Sequence, residues 1–150
     1  IAQETAKRAH ALGMKVIYTN RSGAKEGFPD YTYAELNDLL KQSDFVSLHI
    51  PFDKSKGALL SKNEFDIMKD GAYLINCARG GVVDEEAMLD ALDAGKLAGA
   101  AVDVFAEEPT KNQRLYTHPK VSLTPHVGAS TTEAQKRIGD EIVSIVKDNF

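Results

Sequence analysis

The sequence is poor in the features that mark several large classes of protein. It contains a single cysteine, Cys77, no tryptophan and only 7% aromatic residues. One cysteine excludes an internal disulfide framework and predicts a reducing compartment such as the cytoplasm. The 18 lysines and arginines form no cluster and are outnumbered by 22 acidic residues, which argues against nucleic acid as the main partner. No apolar run approaches the roughly 18 residues of a membrane helix, so we expect no membrane association.

What is present is typical of one globular α/β domain. Of the 150 residues, 43% are hydrophobic and 27% charged. Short β-rich runs alternate with segments whose apolar residues have helical spacing. We predict strands at residues 14–19, 44–50, 72–76, 98–104 and 121–124, and helices at residues 2–12, 33–42, 61–68, 84–94 and from 131 onward. This alternation favours an open, doubly wound parallel sheet of the Rossmann type, with helices on both faces.

Polar and glycine-rich segments follow the predicted strands. In a doubly wound sheet, ligands bind in the crevice beyond the carboxyl ends of the strands. Five such ends carry informative residues, at positions 19–21, 49–51, 76–81, 103–109 and 124–129. Their convergence predicts a functional site at that edge of the sheet.

Two side chains in these segments suit acid–base or anion chemistry. Arg79 precedes Gly80 and Gly81, which would let the backbone approach a ligand, and its guanidinium could bind a carboxylate or carbonyl by paired hydrogen bonds. A structural salt bridge on a surface loop is the alternative. His126 follows Pro125 at a strand end and titrates near neutral pH, with Glu108 as a candidate partner. A solvent-exposed loop histidine is the alternative there.

Other candidates have simpler interpretations. Asp103 ends a strand of small residues and could accept a hydrogen bond from an amide, or could merely cap a turn. Cys77 has no obvious base, so packing or contact with a cofactor is favoured over nucleophilic catalysis. His49 lies within a strand, where packing is the usual role. No spacing of histidine, cysteine and carboxylates predicts a metal site.

Three stretches, in this order and spacing, resemble the D-isomer-specific 2-hydroxyacid dehydrogenases. The resemblance extends over essentially the whole chain and is carried by Asn76-Cys77-Ala78-Arg79-Gly80-Gly81-Val82-Val83-Asp84, by Ala101-Val102-Asp103-Val104-Phe105 with Glu108-Pro109, and by Leu123-Thr124-Pro125-His126-Val127-Gly128. Within the family, residues 128–135 are most similar to the phosphoglycerate dehydrogenases.

The resemblance implies a role for each matching residue. Arg79 would bind the carboxylate and carbonyl of a small 2-oxoacid, His126 would be the proton donor and acceptor, and Glu108 its partner. Asp103 would hold the nicotinamide carboxamide. The residues expected to line the cofactor are Ile1, Asn20, Arg21, Ile50, Cys77, Ala78, Arg79, Asp103, His126, Gly128 and Ala129.

The start of the chain resembles the end of a dinucleotide-binding fingerprint. Ala2 matches the third small residue of G-x-G-x-x-G/A, so the pyrophosphate is expected at the N-terminus of the first helix. We therefore expect residues 1–150 to form a cofactor domain that lacks its first strand and glycine-rich loop. The substrate domain lies outside this sequence. The resemblance also implies a homodimer or larger assembly.

The cofactor and substrate are left open by one departure from the family pattern. NAD-preferring members usually carry an aspartate where this chain has Asn20, followed by Arg21. NAD is expected, but NADP is possible because no acid would repel its 2′-phosphate. The expected substrate pair is 3-phosphoglycerate and 3-phosphohydroxypyruvate, in serine biosynthesis. The alternatives are a glyoxylate or hydroxypyruvate reductase and a non-catalytic regulatory module that senses NAD(H).

Overall fold

Helices and strands alternate along the chain in the computed structural model, which describes residues 1–149. The helices are Ala2–Ala11 (α1), Leu36–Gln42 (α2), Lys62–Ile67 (α3), Glu85–Asp93 (α4), Gln113–Thr117 (α5) and Thr132–Asn149 (α6). The strands are Ile17–Tyr18 (β1), Thr32–Tyr33 (β2), Phe45–Leu48 (β3), Ala72–Asn76 (β4), Leu97–Val102 (β5) and Val121–Leu123 (β6). All ten predicted elements are present, and most are shorter than predicted.

The main sheet has four parallel strands in the order β3-β4-β5-β6. Leu48 pairs with Asn76, Asn76 with Val102, and Val102 with Leu123. The last residues of the four strands therefore lie in one row, and the segments that follow them leave the sheet at the same edge. The predicted parallel, Rossmann-like α/β fold is confirmed, and it places the predicted site segments side by side.

Helices α2, α3 and α4 cover one face of this sheet. Leu40, Leu74 and Leu89 are fully buried between these layers. On the other face Phe45 and Tyr73 stack on each other, with ring centroids 5.2 Å apart, and are 52% and 44% exposed. Helices α1 and α6 bury no residues. The predicted helical cover is thus formed on one face, while the other remains open. No helix within residues 1–149 combines the length and apolar character needed to cross a bilayer.

Two short elements were not predicted. Tyr33 was expected to begin a helix, but it lies in β2, which pairs with β1 in a separate two-stranded sheet. That pairing is reinforced by an edge-to-face contact between Tyr18 and Tyr33. Helix α5 begins at Asn112, whose side chain accepts from the Leu115 N–H group. Both elements are shorter than the window over which hydrophobic periodicity is visible, and tertiary contacts define them.

Helix starts fix the loops around the sheet edge. The Ser61 N–H donates to the Glu64 carboxylate at 2.9 Å, as the predicted capping box requires. Asp84, the predicted cap of α4, accepts from the Ala87 N–H at 3.1 Å. Asp84 therefore anchors the far end of the loop that begins after β4.

The loops after β4 and β5 touch through their backbones at Gly80. A Cβ atom on Gly80 would lie 1.7 Å from the carbonyl oxygen of Phe105. Gly81 has φ +79°, and a Cβ there would lie 2.7 Å from the Phe52 ring. These glycines therefore allow a close approach within the protein itself, between the loop after β4 and the residues Phe52 and Phe105.

Replacing Gly80 by alanine should destabilise the full-length protein. Relief of the overlap with the Phe105 carbonyl requires backbone movement, and overpacking of this kind costs about 1–3 kcal/mol. Urea denaturation measures the loss. The matched control is Gly139→Ala: Gly139 lies inside α6 with open space around it, so alanine should stabilise that helix by about 0.5–1 kcal/mol. Equal stability of the two variants would contradict the close approach.

Candidate active site

A histidine and a glutamate meet at the carboxyl edge of the sheet. The His126 Nδ1 atom lies 2.7 Å from Glu108 Oε2, and the two side chains are 47% and 39% exposed. The other Glu108 oxygen accepts from the Phe105 N–H at 3.1 Å. Because Nδ1 is occupied by Glu108, the His126 atom available to a ligand is Nε2. The structure thus joins two of the three residues that we predicted to be catalytic.

The contact keeps Glu108 ionised. The hydrogen bond from His126 lowers the pKa of Glu108, and the bond from the Phe105 N–H lowers it further. A carboxylate at Nδ1 orients the ring and stabilises a positive charge that forms on it. His126 and Glu108 also line an open cleft of about 390 Å³, together with Phe105, Tyr116, Leu123 and Pro125.

Asp103 lies beneath the turn that carries His126. Its carboxylate is 4% exposed and accepts from Thr124 Oγ1 at 2.5 Å, from the Val127 N–H at 2.9 Å and from the Gly128 N–H at 3.0 Å. Burial alone would raise the pKa of Asp103, but these three bonds and the charge of His126 lower it overall. Asp103 is therefore an anion held inside the protein by specific donors.

Arg79 lies on the neighbouring loop, after β4. Its side chain is exposed, and Nη1 donates to the Ala78 carbonyl at 2.6 Å. Over residues 1–149 it forms no hydrogen bond with Glu108 or His126. The loop is closed by Asn76, which donates to the Arg79 carbonyl and accepts from the Ala78 N–H, both at 3.2 Å.

Asn76 and Thr124 are site residues that sequence reasoning did not single out. Asn76 is 3% exposed, and its backbone carbonyl accepts from the Asp103 N–H at 3.0 Å. Thr124 bonds the Asp103 carboxylate from the end of β6. For Asn76 the available signal was a polar residue ending an otherwise apolar strand. For Thr124 there was none, because only the fold brings it to Asp103.

The other predicted cofactor residues follow β1 and β3. The side-chain oxygen of Asn20 accepts from both the N–H and the hydroxyl of Ser22, each at 2.9 Å. Arg21 is exposed. Bonds from Ser55 lower the pKa of Asp53, and the positive charge of Arg21 adds to that effect.

The start of α1 lies near the end of β3. Ile1 is the N-cap of α1, is 95% exposed, and accepts from the Thr5 N–H. Burial lowers the pKa of His49, which follows β3. Ile50, next along the chain, packs against the core. The N–H groups at the N-terminus of this ten-residue helix favour an anion.

The remaining predicted cofactor residues are small and follow β4 and β6. Cys77 is exposed at the residue level, and burial of its thiol together with the charge of Asp103 raises its pKa, which disfavours a thiolate nucleophile. A Cβ atom on Gly128 would lie 3.2 Å from Asp103 Oδ2. Ala78 is half-buried and Ala129 is exposed.

These residues fit a dinucleotide. The N–H groups at the start of α1 suit its pyrophosphate. An ionised carboxylate offers about four acceptor positions, of which Asp103 uses three, so one remains for an amide donor. Over residues 1–149, no three histidine, cysteine or acidic side chains are grouped as metal ligands would be.

Comparison with known proteins agrees with this fold. Residues 1–128 match the family described as D-isomer specific 2-hydroxyacid dehydrogenase, NAD binding domain. The chain is 42% identical over 146 residues to a hydroxypyruvate reductase of Thermotoga maritima, covering 95% of this chain and 47% of that protein. It is 40% identical over 151 residues to a D-3-phosphoglycerate dehydrogenase of Methanocaldococcus jannaschii, covering 98% and 29%. It superposes on the D-lactate dehydrogenase of Aquifex aeolicus, complexed with NAD and lactic acid, with a TM-score of 0.84 and 33% identity, covering 97% and 49%.

The chain belongs to the D-isomer specific 2-hydroxyacid dehydrogenase family, and it corresponds to that family's NAD-binding domain. It spans less than half the length of the relatives that it matches. The family resemblance stated from the sequence is confirmed, as is NAD as the family's cofactor.

Removing His126 should raise the pKa of Glu108 toward its ordinary value of about 4.3, since the bond from Nδ1 is the main cause of its depression. Carbon-13 NMR of labelled glutamate in the full-length His126→Ala variant measures the titration. Because the folded pKa is the lower one, the pair stabilises the fold above the ordinary glutamate pKa, and this contribution is lost as the pH falls through the folded pKa.

The matched control is His118→Ala. His118 contacts a different carboxylate, Asp93, at 3.2 Å. The control should leave the Glu108 titration unchanged. A Glu108 pKa that is the same with and without His126 would refute the pairing.

Proposed function

We propose that the protein to which this chain belongs is an oxidoreductase that transfers a hydride between NAD and a D-2-hydroxyacid or its 2-oxoacid. The observation that supports this most directly is the contact between His126 and Glu108, in which Nδ1 lies 2.7 Å from the carboxylate and Nε2 is left for a substrate. This arrangement suits a proton transfer at a carbinol oxygen.

Each catalytic residue has a separate task in the proposal. When bound, the nicotinamide supplies the redox chemistry by taking up or giving back a hydride. In the oxidative direction His126 Nε2 takes the proton of the substrate hydroxyl, and in the reductive direction it returns that proton. Glu108 holds the ring and stabilises its protonated form. Arg79 binds the substrate carboxylate and polarises the carbonyl; its guanidinium has five N–H donors, and one bond from Nη1 goes to the Ala78 carbonyl.

The cofactor would extend along the sheet edge. We assign the pyrophosphate to the start of α1 at Ile1, the adenosine to Asn20, Arg21 and Ile50, and the nicotinamide end to the segments after β4, β5 and β6. The residues assigned to the nicotinamide end are Cys77, Ala78, Arg79, Asp103, His126, Gly128 and Ala129. Their support is the shared edge on which the structure places these segments.

For the substrate we propose 3-phosphoglycerate and 3-phosphohydroxypyruvate, a step of serine biosynthesis. The sequence likeness at residues 128–135 and the phosphoglycerate dehydrogenase relative support this choice. Reduction of glyoxylate or hydroxypyruvate is the second candidate, favoured by the hydroxypyruvate reductase relative and by the absence of an acid at Asn20. The His126–Glu108 pair weighs against a purely regulatory NAD(H) sensor.

We further propose that this chain is one domain of a longer protein. The separation of β1-β2 from β3-β4-β5-β6 leaves β3 bonded to one neighbour, which suits an additional strand between β3 and β1. A substrate domain would complete the cleft. A homodimer or larger assembly is also proposed, supported by the exposed apolar side chains of Ile142 and Ile145 on α6. The single cysteine supports a cytoplasmic location.

In the full-length enzyme, His126→Ala should lower kcat by roughly 100-fold or more, the usual contribution of a general acid–base residue. Arg79→Lys should raise KM for the acid and lower kcat, since lysine keeps the charge but loses the paired hydrogen bonds. Steady-state kinetics check both. His10→Ala, an exposed histidine on α1, is the control and should behave as the wild type. Unaltered kcat in His126→Ala would remove this function.

Cofactor preference should depend on Asn20. We expect NADH to be used in preference to NADPH, and Asn20→Asp to reduce NADPH use further, because a carboxylate repels the 2′-phosphate. The measurement is kcat/KM for both cofactors, crossed with phosphohydroxypyruvate, hydroxypyruvate and glyoxylate. A higher kcat/KM for glyoxylate or hydroxypyruvate than for phosphohydroxypyruvate would contradict the first proposed substrate and favour the second.

A further inference from the structure

The turn that carries His126 has an unusual backbone. His126 has φ +54°, in the left-handed region that residues with a Cβ rarely adopt, and within residues 1–149 every other residue with positive φ is a glycine. Such a conformation persists only where the surroundings hold it. The direction in which the imidazole projects depends on this backbone conformation, because the left-handed residue is His126 itself.

The bonds that hold this turn converge on one carboxylate. Asp103 accepts from the N–H groups of Val127 and Gly128, the two residues directly after His126, and from the hydroxyl of Thr124, two residues before it. Both sides of the turn are therefore tied to the end of β5. Gly128 fits tightly here, since a Cβ on it would lie 3.2 Å from Asp103 Oδ2.

The bond to Glu108 constrains the imidazole ring and not the backbone of the turn. It fixes one atom of the imidazole ring, Nδ1, whereas the bonds to Asp103 fix the backbone from which the ring projects. Both acids follow β5, and Asp103 is itself tied to β4 through its N–H bond to the Asn76 carbonyl. The position of Nε2 thus needs two acids, one for the ring and one for the turn.

We propose that Asp103 is a positioning residue for His126, which fixes the turn at residues 124–128 through its bonds to Thr124, Val127 and Gly128 and thereby presents Nε2 to the substrate. The proposal rests on the acid–base role assigned to His126. It is compatible with a cofactor amide at the remaining acceptor position of Asp103. It requires, however, that Asp103 also fixes the turn when no cofactor is bound.

Thr124 offers a mild way to test it. Thr124→Val keeps the shape of the side chain and removes one of the three donors to Asp103, while Thr124→Ser keeps the hydroxyl and removes only a methyl group. The matched control is Thr117→Val, which removes a hydroxyl bonded to the Gln113 carbonyl in α5. Asp103→Asn is a second variant, because its amide cannot accept from the Gly128 N–H if its oxygen keeps the bonds to Thr124 and Val127.

Two readouts on the full-length protein separate this role from the others. The first is the Glu108 titration by carbon-13 NMR without substrate or cofactor, which reports whether His126 still reaches Glu108. The second is kcat against the KM for NADH. We expect Thr124→Val and Asp103→Asn to raise the pKa of Glu108 and to lower kcat by about tenfold or more, in line with the cost of small misplacements of catalytic groups. Thr117→Val should match the wild type in both, and Thr124→Ser should lose much less than Thr124→Val in both.

Other results would overturn the proposal. A raised KM for NADH with kcat and the Glu108 titration unchanged would show that Asp103 serves the cofactor alone. If kcat falls as much in Thr124→Ser as in Thr124→Val, the effect comes from packing of the methyl group and not from the hydroxyl. If the Glu108 titration shifts as expected while the enzyme lacks hydroxyacid activity even as wild type, the proposed function fails and the positioning of His126 stands.

Discussion

The in-register parallel sheet is the constraint on which the site depends. Asn76, Val102 and Leu123 pair across three neighbouring strands, so the segments that follow them start from one row. Backbone hydrogen bonding fixes this alignment to within a fraction of the strand spacing of about 4.8 Å. Residues distant in sequence, such as Glu108 and His126, can then meet with hydrogen-bond geometry without any covalent link between the loops.

Buried polar groups convert this alignment into defined loop conformations. Asn76 closes the loop after β4, and Asp103 closes the turn after β6. Burying such groups is unfavourable unless each finds partners, and here the partners are the N–H and carbonyl groups of the very loops that carry Arg79 and His126. The need to satisfy a buried amide and a buried carboxylate therefore also orders the reactive side chains.

Contacts without charge set the spacing between the same loops. Gly80 lets the Arg79 loop touch the Phe105 carbonyl, which lies between Asp103 and Glu108 in the chain. The Phe105 N–H in turn bonds Glu108. A side chain at position 80 would push these two segments apart, so steric and electrostatic constraints act on one short stretch after β5.

Much of the fold could be predicted from the sequence, because local patterns carry it. The apolar run at residues 72–76 predicted β4, and the caps at Ser61 and Asp84 marked helix starts that the structure contains at α3 and α4. The two-residue strand β2 and the five-residue helix α5 were missed, since elements so short have no periodicity to detect and exist through contacts with distant residues.

By itself the sequence determined the α/β class, the order of the elements and the positions where reactive residues leave the strands, since hydrophobic period, caps and turn residues are local properties. The tertiary structure brings His126 to Glu108, the partner that the sequence proposed. Only that structure decided that Thr124 and the turn after it bind Asp103, and that Gly80 faces the Phe105 carbonyl. Those outcomes depend on the pairing register of strands far apart in the chain, and on the cost of leaving buried polar groups without partners. Neither the register nor the set of available hydrogen-bond partners can be read from a short stretch of sequence.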